Sequence, residues 1–77
     1  MTAKDIETLD CRGLRCPLPV LKARKRLRSL TPGAVLLVMS DDPLAALDLP
    51  AMVQEDGHHL LTGETRDGVF YAQIGRS

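Results

Sequence analysis

A chain of 77 residues has room for one compact domain near the lower limit of independent stability, and little room for an enclosed active site with a lid and a cofactor cradle. Its 44% hydrophobic and 26% charged composition is that of a folded domain, with Pro and Gly well below the levels of a disordered chain. The formal net charge is zero, but the charges are segregated: Arg12, Arg15, Lys22, Arg24, Lys25, Arg26 and Arg28 meet no acid between Cys11 and Ser40, and acids dominate from Asp41 onward.

The first residues carry Lys4, Asp5 and Glu7 with no apolar stretch behind them, unlike a secretory leader, and no transmembrane run follows. With two cysteines and no export signal, the expected setting is the reducing cytoplasm, away from the membrane.

Ile6 to Asp10 reads as a short strand closed by a turn at Gly13. Pro17 and Pro19 fit a first helical turn, and Val20, Ala23, Leu27 and Leu30 recur at helical spacing, so a helix is expected from about Pro17 to Leu30 with a basic outer surface. Thr31, Pro32 and Gly33 stop it. The apolar run Val35 to Met39 is a central strand, whose alternate side chains cannot all meet one helical layer, so some apolar surface should stay open. Asp42 and Pro43 signal a second helix over Leu44 to Glu55, which Pro50 is expected to kink or divide. His58 to Glu64 and Val69 to Ile74 flank Asp67-Gly68, a strong hairpin signal. The order βαβαββ implies an α+β two-layer sandwich: a four-stranded mixed sheet with two helices on one face, in a single domain over 1–77.

The chemistry centres on Arg15-Cys16-Pro17-Leu18-Pro19, which sets a thiol where a turn becomes a helix. A residue before proline is pushed out of the α region, so Cys16 should be the last non-helical residue, in N-cap geometry. The helix dipole, Arg12 and Arg15 would then lower its pKa and leave it largely ionised, with the N–H of Leu18 facing the sulfur. A buried structural cysteine is the competing reading. Without a pair of oxyanion donors or an evident general base, acyl transfer is disfavoured, whereas sulfur transfer needs only one accessible thiolate.

Asp10-Cys11-Arg12-Gly13-Leu14-Arg15-Cys16-Pro17-Leu18-Pro19 resembles the CPxP signature of the TusA (SirA-like) sulfur-carrier family, and Pro32-Gly33, Asp41-Asp42-Pro43 and Asp48-Leu49-Pro50 stand in the family's order. The resemblance implies a persulfide relay on Cys16, supported by Arg12, Arg15, Pro17 and Pro19. It implies a cysteine desulfurase or rhodanese-like donor and a DsrE-like acceptor, serving tRNA thiolation, sulfur oxidation or molybdenum cofactor assembly. Such a carrier needs no cofactor and has no independent turnover, and a monomer is the expected state.

Cys11 has two readings, a resolving thiol or a half-buried residue at a strand end. His58 and His59, as strand neighbours, would point to opposite faces and are poorly placed to share a metal. Asp41 and Asp42 read as helix caps. Lys22, Arg24, Lys25, Arg26 and Arg28, without compensating acids on their own helix, read as a docking surface for an acidic partner. The alternative function is a nucleic-acid-binding or regulatory module using that helix. Phe70 and Tyr71, the only aromatic residues, lie outside the basic segment, so stacking on bases has no platform there and direct nucleic-acid binding is not expected.

Overall fold

Alternation along the central strand decides the layering. Leu36 and Val38 are fully buried, while Leu37 and Met39, on the opposite face, are half-buried. A computed structural model describes residues 6–77 with β1 (Ile6–Asp10), α1 (Leu18–Ser29), β2 (Val35–Ser40), α2 (Ala45–Glu55), β3 (His59–Arg66) and β4 (Val69–Gly75). The part of the leader reading that concerns residues 1–5 lies outside the described residues. No helix among the described residues is long and apolar enough to cross a membrane.

The strands are ordered β1-β2-β4-β3. β1 runs parallel to β2, with Ile6 opposite Val35 and Asp10 opposite Met39. β2 and β3 are each antiparallel to β4. The expected α+β sandwich with a four-stranded mixed sheet is therefore observed. The two-residue loop of the last hairpin has φ 51° at Asp67 and 79° at Gly68, the positive values that a tight turn between right-twisted strands requires.

Both helices pack on the Leu36 and Val38 side. Ala23 and Leu27 of α1 and Leu49, Met52 and Val53 of α2 join Phe70, Ala72 and Ile74 of β4 in one core. Val20 and Leu30 complete the α1 stripe as partly buried residues. Burying a side chain such as Leu27 contributes about 1.5–3 kcal/mol. The other sheet face keeps a shallow groove, with Leu37, Tyr71 and Gln73 among its lining residues, so part of the apolar strand does stay open.

α2 differs from expectation at Pro50, because the helix runs undivided from Ala45 to Glu55. Proline removes the N–H that would have bonded the carbonyl of Ala46, but Ala46 is exposed and solvent can serve that carbonyl. The break predicted from composition is thereby avoided.

Candidate functional site

The segment between β1 and α1 is held from both sides. Cys11 N–H donates to the Met39 carbonyl at 2.7 Å, continuing the β1 to β2 pairing by one residue. The chain then turns, with the Leu14 N–H on the Cys11 carbonyl at 3.1 Å and Gly13 at φ 87°, where glycine avoids a side-chain clash. Two consecutive carboxylates just past the end of β2 grip this loop: Asp41 Oδ1 accepts the Gly13 N–H at 3.0 Å, and Asp42 Oδ2 accepts the Cys16 N–H at 2.6 Å. Asp42 also accepts the Leu44 N–H at 3.1 Å, as a cap for the start of α2 would. The capping expectation thus holds for Asp42, whereas Asp41 is committed to the cysteine loop.

The start of α1 departs from the sequence reading. Pro17 occupies the N-cap position and Leu18 is the first helical residue, so Cys16 stands one residue further out than expected. The Leu18 N–H donates to the Arg15 carbonyl at 2.8 Å and does not face the sulfur. With the Cys16 N–H on Asp42 and none on Pro17 or Pro19, residues 16–19 leave no free amide to stabilise an anion at this tip. Pro19 is fully buried and anchors the first turn, while Pro17 is exposed.

The Cys16 side chain is exposed, which removes the buried-cysteine reading, and its Sγ lies 3.3 Å from Asp48 Oδ2 in the first turn of α2. The thiol donates and the carboxylate accepts. This hydrogen bond, then partial desolvation, then the negative charges of Asp48 and Asp42, push the Cys16 thiol above its ordinary range. The expectation of a largely ionised thiolate is overturned. Its proposed activators are engaged elsewhere: Arg12 forks onto Asp10 with contacts of 2.9 and 2.8 Å, and Arg15 reaches Asp41 at 3.2 Å. Sequence reasoning placed Asp48 only within a family pattern. Its contact with Cys16 spans 32 positions, and no local periodicity marks it.

Cys16 and Asp48 stand at a groove of about 260 Å³ between the helices, floored by Val20, Ala51 and Met52 and flanked by Arg24 and Glu55. The basic face of α1 is partly neutralised by acids from other elements. Arg24 bonds Asp56 at 2.7 Å and Glu55 at 3.2 Å, and Arg26 pairs with Glu7 of β1. Lys22, Lys25 and Arg28 form no ion pair among the described residues. Lys22, Lys25 and Arg26 line a separate groove of about 240 Å³ beside Leu9 and Ser29.

Cys11 is fully buried, more deeply than its reading as half-buried, and burial pushes its thiol pKa up. A resolving role would require the core to open. His58 precedes β3 instead of lying in it, and its Nδ1 accepts the Ser77 N–H at 3.2 Å.

An exposed cysteine before a proline-braced helix, on a mixed four-stranded sheet with two helices, defines a class of small sulfur-handling domain. The chain belongs to the TusA sulfurtransferase family, whose model matches residues 7–76. Two relatives from Neisseria meningitidis, one from a serogroup A strain and one from a serogroup B strain, are provisionally named sulfur carrier proteins. Each is 47% identical over 64 residues, covering 83% of this chain and 86% of the relative. The crystal structure of a SirA-like protein from Desulfitobacterium hafniense superposes with a TM-score of 0.81 at 31% identity, covering 90% of this chain and 95% of that one.

Proposed function

We propose that this chain carries sulfur as a persulfide on Cys16, in the cytoplasm, between a donor protein and an acceptor protein. The observation that carries the reading is the exposure of Cys16 Sγ beside a groove, on a loop fixed by Asp41 and Asp42. Family membership supports it.

Loading requires little from the carrier. Sγ, having lost its proton to solvent, attacks the outer sulfur of a donor persulfide; a new S–S bond forms, the donor's S–S bond breaks, and the donor cysteine leaves with the electron pair as a thiolate. Delivery repeats the exchange with an acceptor thiolate, and Cys16 becomes the leaving group. The absence of a free amide at residues 16–19 fits such chemistry better than acyl transfer, which needs donors for an oxyanion.

The donor in this reading is a cysteine desulfurase or rhodanese-like protein, and the acceptor is DsrE-like, in tRNA thiolation or related sulfur metabolism. Pro17, Pro19 and the Arg15 to Asp41 pair support the loop. Of the basic residues assigned to docking, Lys22, Lys25 and Arg28 remain uncommitted among the described residues, whereas Arg24 and Arg26 would have to exchange partners. Incubation with a desulfurase and cysteine should add about 32 Da to wild type and nothing to Cys16→Ala. Failure of every sulfane donor to shift the mass of wild type would overturn the proposal.

A further inference from the structure

Cys16 shares its position with one side chain from the opposite helix. Asp48 Oδ2 is 3.3 Å from Sγ, and the two groups stand at the mouth of the groove between α1 and α2. Asp48 lies in the first turn of α2, where the positive end of the helix dipole favours an ionised carboxylate. The other charges nearby are committed. Arg24 is turned onto Asp56 and Glu55, and Asp42 uses both oxygens on the amides of Cys16 and Leu44. Asp48 is thus the carboxylate left to take the thiol proton.

We propose that Asp48 is a positioning residue for Cys16: its carboxylate accepts the thiol proton in a hydrogen bond and restrains sulfur exchange until a docking partner turns that carboxylate away. This inference rests on the persulfide reading of Cys16.

The restraint acts in both directions. Loading needs a Cys16 thiolate, which would form against the charge of Asp48. In unloading, an acceptor thiolate attacks the outer sulfur, the bond between that sulfur and Sγ breaks, and the electron pair goes to Sγ. Sγ must then depart as a thiolate beside the same carboxylate before it takes a proton from solvent. A leaving thiolate held at high basicity departs slowly. Small cellular thiols cannot relieve this, so the carrier keeps its sulfur in their presence. A partner that sets a guanidinium, ammonium or amide N–H on Asp48 does relieve it, and exchange becomes fast only within that complex.

The test uses the full chain as wild type, Asp48→Asn, Asp48→Ser and Asp48→Glu. Alkylation of Cys16 by iodoacetamide is followed by peptide mass spectrometry from about pH 6 to about pH 11. Both neutral variants should show a lower midpoint, with alkylation at neutral pH about tenfold faster per unit of lowering, because the rate tracks the thiolate fraction. Asp48→Glu should return toward wild type. After loading with inorganic polysulfide, Asp48→Asn should also lose its extra sulfur to glutathione faster than wild type. Coincident pH profiles for wild type and both neutral variants would overturn the inference. A lowered midpoint in chains that never accept sulfur would uphold the hold on the thiol and sink the persulfide reading instead.

Discussion

The N–H of Cys16 donates to Asp42 Oδ2 at 2.6 Å, while the other oxygen of the same carboxylate accepts the N–H of Leu44 at 3.1 Å. One side chain, only 6% exposed, therefore joins the cysteine loop to the start of α2. Because α2 carries Asp48, Asp42 also fixes the spacing between the sulfur and its carboxylate neighbour. Asp42→Ala should lose about 1–3 kcal/mol of stability, since it strands two amides in a mostly buried place. Urea denaturation measures this, and a midpoint equal to wild type would show that the bond contributes nothing.

The two cysteines should separate cleanly by accessibility. Cys16 is exposed and Cys11 fully buried, so native protein treated with excess iodoacetamide should gain a single adduct, and protein in urea should gain two. Fast double labelling of the native chain would contradict the burial of Cys11. Cys11→Ser should load sulfur as wild type does.

Acid should weaken the fold through three carboxylates. The Arg12 guanidinium and N–H hold Asp10 down to about 2, the Gly13 N–H and then Arg15 lower Asp41, and Arg24 lowers Asp56. Each binds its proton more weakly folded than unfolded, so its contribution is complete above the ordinary carboxylate value of about 4 and fades as pH falls through the folded value. Urea midpoints should be level from about pH 5 to pH 7 and decline below about pH 4, with a shallower decline in Asp56→Asn. All three groups are solvent-facing, so the effect should be small and smaller still in high salt.

Alkali should act through Cys11. Burial raises its thiol pKa in the folded state, so its contribution is intact below the ordinary thiol value of about 8.5 and is lost as pH rises through the folded value. Cys11→Ala should flatten the alkaline limb of the stability profile, although the cavity lowers stability throughout. An alkaline limb unchanged by this substitution would assign it to other groups.

Much of the fold was legible because it is written in short-range patterns. Ile6 to Asp10 matched β1 residue for residue, Asp67-Gly68 made the hairpin turn, and Ala23 and Leu27 at helical spacing reached the core. Cys16 itself was marked by the prolines beyond it. Its electrostatics were not legible, because the nearest charges in sequence, Arg12 and Arg15, are held by Asp10 and Asp41, and the group that touches the sulfur arrives from another helix. Arg24 shows the same limit. Its neighbours on α1 are basic, yet its partners Glu55 and Asp56 lie 31 and 32 positions away and brace one helix against the other. Local composition overstated the free positive charge for that reason.

The most direct measurement is a single round of relay with labelled sulfur. Carrier loaded from labelled cysteine by a desulfurase is freed of donor, mapped by peptide mass spectrometry, and then offered an excess of acceptor thiol. Label should reside on the Cys16 peptide alone, leave completely with the acceptor, and fail to load on Cys16→Ala. Label retained by Cys16→Ala, or label on Cys16 that no acceptor thiol removes, would contradict the role of this residue as a sulfur carrier.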